Sequence, residues 1–460
     1  MDQSLVFDIE LIRRYDKSGP RYTSYPTAVK FYEGFAEAEY RAIAAKSNQE
    51  GGSLSLYFHI PFCDTLCFYC ACNKIATKNR KHALPYLASL FKEIEMQGAL
   101  FDRSRKVDQL HWGGGTPTFI SHEQMTALMA KTRQHFNLHD DDSGEYSIEI
   151  DPREVQNDTI KLLRELGFNR MSLGVQDFDP QVQKAVNRIQ TEEQTFAVLD
   201  QAKAEGFKSV SVDLIYGLPF QSLEGFAKTV DKVIAAEPDR LSVFNYAHLP
   251  EMFKPQRRIL DTDLPSATEK LEILQMTNEH LKQAGYVYIG MDHFAKPDDE
   301  LAVAQREDSL YRNFQGYSTH AECDLVAMGV TSIGMVSNTY SQNVKTVEEY
   351  AELIDAGKLP LYRGIELTDD DILRREVISK LICQFELDMG VIARQFNIDF
   401  AEYFAREMEA IRQIESDGLL IIDGEMISVL PAGRLLIRNV CMVFDRYLRE
   451  QTEQRFSKVI

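Results

Sequence analysis

The chain has 460 residues, a formal net charge of −19 and seven cysteines. An acidic surface argues against nucleic-acid or anionic-membrane partners, since both require a basic face. No apolar run nears the ~20 residues of a membrane span, the acidic first ten residues are no signal peptide, and an odd, scattered cysteine set is no secreted disulfide framework. A cytoplasmic protein is expected, with roughly two to four domains at about 100–200 residues each.

Residues 1–50 read as an N-terminal arm. From residue 51, apolar, β-branched runs at 53–60, 107–112, 146–150, 170–175, 209–216 and 241–247 alternate with helical stretches at 82–101, 123–136, 158–166, 192–205 and 223–236. Such alternation predicts an α/β fold of βαβ units around a parallel sheet. Six units over 51–295 suggest an incomplete (β/α)6 barrel, with 286–291 as a candidate further edge strand. A doubly wound open sheet fits the same pattern, but its ligands would gather at one switch point. Here the chemistry-bearing residues fall at the C-terminal ends of successive strands, as in parallel barrels. Residues 296–460 read as a mostly helical domain. Helices at 369–385, 389–396 and 399–417, a hairpin at 419–429 turning at Asp423-Gly424, and a helix from Gly433 make it winged-helix-like. Its third helix is too acidic to meet phosphate.

The densest chemistry lies between Cys63 and Cys72, where Cys63, Cys67, Cys70 and Cys72 are separated by three, two and one residues. Thiolates so spaced hold zinc or an iron–sulfur cluster. Four ligands would close a site; three would leave one iron of a 4Fe–4S cluster open to the amine and carboxylate of S-adenosylmethionine (SAM). Cys72 is the ambiguous fourth. Gly113-Gly114-Gly115-Thr116-Pro117 follows the second strand, either as a plain turn or as backbone that lets a ligand approach closely. Glu149 and Asp213 lie at strand ends and could accept hydrogen bonds from ribose or an ammonium group, whereas Asp151-Pro152 looks like a helix cap. His111 reads as a core histidine. His59, four residues before Cys63, either supports the fold or handles a proton.

Cys63-x3-Cys67-x2-Cys70 with Gly113–Thr116 resembles the radical SAM superfamily. Longer strings, among them 19–27, 57–63, 72–74, 111–118, 290–295, 313–317, 433–439 and 456–460, are similar to the bacterial oxygen-independent coproporphyrinogen III dehydrogenases (anaerobic oxidases) of haem synthesis. The resemblance implies one 4Fe–4S cluster held by Cys63, Cys67 and Cys70, with Cys72 not a ligand. It implies two SAM molecules: one near Tyr57, Gly114, Glu149, Ala247 and Ile333, the other near Tyr69, Gly115, Thr116, Gln176, Arg188 and Asp213. Tyr57 and His59 are the candidate catalytic residues, and the arm near Arg21–Tyr25 is expected to approach the substrate. A deoxyadenosyl radical would take hydrogen from two propionates of coproporphyrinogen III, leaving vinyl groups and giving protoporphyrinogen IX. The protein would act as a monomer fed by a reductase or flavodoxin-like electron donor. Arg21, Lys74, Arg170, Lys254, Arg257 and Arg258 are candidate clamps for the four propionates. Haem-binding chaperones and radical SAM methyltransferases of the superfamily are the rival assignments.

Overall fold

The computed structural model describes residues 5–449, so the string 456–460 lies outside the described residues. The described residues form two compact units: one comprises 31–266 and 322–366, the other 5–30, 267–321 and 367–449.

The first unit is built on six parallel strands that neighbour one another in chain order: β1 (Leu54–Ile60), β2 (Lys106–Gly114), β3 (Glu145–Ile150), β4 (Arg170–Gln176), β5 (Ser209–Tyr216) and β6 (Arg240–Asn245). Both faces of β1 are largely buried, which is why it reads as a continuous apolar run. The intervening helices begin where the sequence offers caps. Ser121 and Gln124 form a capping box at His122–His135, and Ser222 accepts from Gly225 N at Leu223–Ala235. That last helix buries Phe226, Thr229, Val230 and Val233, one stripe at helical spacing. Trp112 is fully buried on β2, edge-on to Phe168 at 4.8 Å. β1 and β6 are not paired with each other, so the barrel is open. On the outer side of β1, β7 (Asp324–Met328) adds a seventh parallel strand, followed by an antiparallel meander through Ile333–Val336, Thr339–Asn343 and Leu361–Glu366. The sequence pattern had not marked β7.

The second unit joins the two ends of the chain. Helix Ile9–Tyr15, capped by Asp8, shares this unit with helices Asp369–Gln384, Met389–Phe396, Ala405–Ser416 and Ile437–Phe444. Strands Glu386–Asp388, Met426–Val429 and Leu420–Asp423 form its antiparallel sheet, one strand more than the expected hairpin. The expected 399–417 helix is interrupted at Phe404, and the helix expected from Gly433 starts at Ile437. Gly433 packs instead against the backbone of Leu419, leaving no room for a Cβ. Val287–Gly290, the candidate edge strand, pairs antiparallel with His293–Ala295 in this unit. Tyr22 and Tyr25 of the arm are buried here, with Tyr22 Oη donating to Asp445 Oδ2 at 3.0 Å.

Candidate active site

The cysteine loop leaves β1 at Pro61 and is clamped at its base. Phe62–Cys63 pairs in parallel with Ile75–Ala76, and Thr77 N donates to Cys63 O at 2.8 Å. Phe62 stacks on Phe119 at 5.2 Å, which fixes the loop's exit from the sheet. Along the loop, Asn187 Nδ2 donates to Leu66 O (2.8 Å), Phe68 N to Val186 O (2.9 Å) and Lys74 Nζ to Cys70 O (2.9 Å). All seven cysteines are free thiols. Cys63, Cys67, Cys70 and Cys72 line one cavity of about 320 Å³, together with Gly114, Gly115, Thr116, Glu149, Gln176, Arg188, Asp213 and Tyr69.

The sulfurs differ electrostatically. Burial pushes the Cys63 thiol up to about 12, partly countered by the hydroxyl of Thr116 at 3.6 Å. A hydrogen bond from Cys72, with Lys74 nearby, brings Cys70 down to about 6, and the same contact holds the Cys72 thiol well above its ordinary value. Cys67 faces two guanidinium groups, Arg153 at 3.6 Å and Arg188 at 3.7 Å. Cys63, Cys67 and Cys70 thus each have a donor directed at the sulfur, the environment a thiolate ligand needs.

Each glycine of the triplet is required for its own reason. A Cβ on Gly113 would meet Glu149 Oε1 at 2.9 Å. Gly114 has φ +117° and would strike the His59 ring at 2.9 Å. On Gly115 the Cβ would meet Phe62 O at 2.6 Å and Cys63 Sγ at 3.0 Å. The floor therefore abuts the cysteine loop through backbone alone.

Around this floor the strand ends supply charge. Glu149 accepts from Gly114 N (3.2 Å) and lies 3.3 Å from His111 Nε2. Burial raises its pKa, but His111 and the Gly114 N–H outweigh burial and the carboxylate stays below its ordinary range. Asp213 accepts from Ser172 Oγ at 2.9 Å, and burial lifts it to about 6. Asp151 caps the turn Pro152–Glu154, as its sequence suggested, but it also pairs with Arg153 (2.6 Å) and Arg188 (3.0 Å). Those two cations overcome burial and hold Asp151 down to about 2. Arg188 also donates to Gly174 O, yet its buried Nε has no partner among the described residues. Gln176 ends β4 with φ +70°.

Tyr57, His59, Ala247 and Ile333 do not line this cavity. His59 is placed between Tyr57 Oη (3.1 Å, at Nδ1) and Asn73 O (3.2 Å, at Nε2). A carbonyl only accepts, so Nε2 carries the proton and Nδ1 accepts from Tyr57. Burial holds this imidazole below its ordinary pKa. Ala247 O and Tyr69 O share one donor, Gln256 Nε2, at 3.2 and 3.0 Å. Four of the candidate clamps have partners within the chain. Lys74 binds the cysteine-loop carbonyls, Arg21 pairs with Asp292 at 3.2 Å, Arg257 Nε donates to Pro250 O at 3.0 Å, and Arg170 opens β4 at the end opposite Gln176, donating to Asn169 Oδ1 at 2.6 Å.

Known proteins resemble this chain along its length. The model of the radical SAM superfamily matches residues 57–233, and that of the HemN C-terminal domain matches 367–436. The oxygen-independent coproporphyrinogen III oxidase of Pseudomonas aeruginosa is 55% identical over all 460 residues, with both chains fully covered. That of Escherichia coli K12 is 51% identical, covering 100% of this chain and 99% of its own. The solved structure of the E. coli coproporphyrinogen III oxidase HemN, described as a radical SAM enzyme, superposes with a TM-score of 0.92 at 50% identity, over 96% of this chain and 100% of that one. The chain belongs to the oxygen-independent coproporphyrinogen III oxidase family.

A radical SAM member carries a 4Fe–4S cluster and SAM, and the residues present fit both. Three thiols with directed donors match the cluster, a side-chain-free glycine floor suits a close ligand, and the orphaned Nε of Arg188 awaits an acceptor. The sequence reading missed Arg153, which no motif flags. Its only local signal is its place two residues after Asp151.

Proposed function

We propose that this chain converts coproporphyrinogen III to protoporphyrinogen IX by oxidative decarboxylation of two propionates to vinyl groups, without oxygen. For each propionate one β-hydrogen, one further electron and carbon dioxide depart. The observation that carries this reading is full-length identity to named oxidases combined with three thiols on one cavity.

Cys63, Cys67 and Cys70 would hold the cluster, leaving Cys72 protonated beside it. When bound, the open-iron cluster and SAM supply a deoxyadenosyl radical able to break a strong C–H bond. Arg153 and Arg188 offset the charge of the Cys67 thiolate. Tyr57, Gly114, Glu149, Ala247 and Ile333 are assigned to the SAM at the cluster, where ionised Glu149 can hold an ammonium or hydroxyl group. Tyr69, Gly115, Thr116, Gln176, Arg188 and Asp213 are assigned to a second SAM. Tyr57 and neutral His59 are positioned to keep the cluster loop in register, with Nδ1 the atom that could take a proton.

No helix of the described residues is long and apolar enough to cross a membrane. We assign the protein to the cytoplasm as a monomer receiving electrons from a reductase or flavodoxin-like donor. Anaerobic turnover of reconstituted protein with SAM, dithionite and coproporphyrinogen III tests the reading. Deoxyadenosine, carbon dioxide and a divinyl porphyrinogen are expected; methylated product with S-adenosylhomocysteine would move the chain to the methyltransferases.

A further inference from the structure

In the second unit, the hairpin Tyr311–Asn313/Gly316–Ser318 places Arg312 opposite Tyr317. Arg312 is 8% exposed, and its guanidinium lies over the Tyr317 ring at 4.8 Å. Its Nε and Nη1 are buried and have no hydrogen-bond partner among the described residues. Stacking satisfies the face of a guanidinium but leaves these two N–H groups, which lie on different edges of its plane, unused. A buried cation left so is costly unless an anion meets it.

Among the described residues, no anion in the surroundings is free to neutralise it. The nearby Asp292 is engaged by Arg21 at 3.2 Å. Burial first, then the charges of Arg312 and Arg21, hold the His293 imidazole down to about 3, so it adds no cation but offers no anion either. Burial and the same two arginines bring Arg438 down to about 10. Tyr317, the platform, is fixed from both sides: its hydroxyl donates to Ile382 O at 3.1 Å, and His293 meets its ring edge-on at 5.3 Å. Gly290, at φ +133°, leaves the space that the Tyr317 hydroxyl fills. On the same hairpin, Gln315 Nε2 is a second buried donor without a partner.

We propose that Arg312, presented on Tyr317, binds a propionate carboxylate of the substrate through its unpartnered N–H groups. This rests on the tetracarboxylate substrate assigned above. A propionate supplies the missing anion, and carboxylate oxygens accept charge-assisted hydrogen bonds from a guanidinium.

The test uses reconstituted full-length enzyme and two variants, Arg312→Gln and Arg312→Lys. Coproporphyrinogen III turnover gives KM and kcat, fluorescence titration with coproporphyrin III gives affinity, and SAM binding is measured separately. Arg312→Gln should raise KM about 30-fold or more, the loss expected when one partner of a buried charge pair is removed. Arg312→Lys, which keeps the charge without the guanidinium, should raise it by less. SAM affinity and melting temperature should be unchanged. If Arg312→Gln does not fold, the KM of Arg312→Lys decides alone. Unchanged KM in a folded variant overturns the proposal, whether or not the variant melts earlier, because the guanidinium then serves the chain itself. Loss of SAM affinity instead overturns it by making the SAM carboxylate the ligand. Failure of the wild type to bind or turn over coproporphyrinogen III sinks the functional reading itself.

Discussion

Among the four clustered cysteines, the contact between Cys70 and Cys72 sets the two apart: it lowers the Cys70 thiol and raises that of Cys72. Cys72→Ser should keep the cluster iron and its visible absorbance, while Cys67→Ser should lose both. Equal iron loss in the two variants would refute the three-ligand site. Gly115→Ala places a methyl against Phe62 O and Cys63 Sγ, neither of which moves cheaply. It should cost about 1–3 kcal/mol of stability, as overpacking does, and lower iron content; a variant with normal melting and normal iron would show that the floor has slack. Asp213 belongs to the cofactor assignment that rests most on resemblance. Wild type should bind about two SAM molecules and Asp213→Ala about one with its cluster intact, by equilibrium dialysis. One molecule in wild type would remove the second site. The cysteines and glycines were legible because their chemistry is local in sequence. Asp151 was read as a cap because a cap is local too, whereas its pairing with Arg188 is made only by the fold.

At the scale of elements, helix Ala83–Gly98 is tied to the strands beyond β7 by one buried carboxylate. Glu93 accepts from Gly329 N and Asn343 Nδ2, each at 2.7 Å, and from Tyr350 Oη. Burial, only partly offset by these bonds, lifts it to about 7. A carboxyl raised on folding stabilises the fold most while protonated. Its contribution is full below the ordinary carboxyl value and is lost as pH rises through about 7. Thermal melting of the wild type should therefore fall between pH 5 and 8, by on the order of 2–4 kcal/mol of stability, and Glu93→Gln should flatten that fall. A melting temperature that rises over this window contradicts the assignment. The six core strands were readable as apolar runs between amphipathic helices, with bounds displaced by a residue or two. β7 was not: it lies beside β1, with Leu325 opposite Ser55. Nothing near Asp324–Met328 in the sequence announces a partner so distant.

On the scale of the whole molecule, contacts group residues 5–30 with 267–321 and 367–449, a division that no local periodicity can reveal. Arg438 donates to Pro20 O at 2.9 Å and Tyr22 to Asp445, so the first segment is part of the core that holds the last helices. A chain starting at residue 31 should lose amide-exchange protection across Ile437–Phe444 while β1–β6 keep theirs; undiminished protection there would show that the arm is peripheral. The same contact also sets an order of events during synthesis. Tyr22 and Asp445 are 423 residues apart, so at ~5–20 residues per second the first waits roughly 20–85 s for the second to leave the ribosome. Throughout that interval the apolar side of residues 5–30 has no native partner from the end of the chain. The strands of the first unit, by contrast, are all made by residue 366. The unit that carries the cysteine loop can therefore finish folding while the rest of the chain is still being translated.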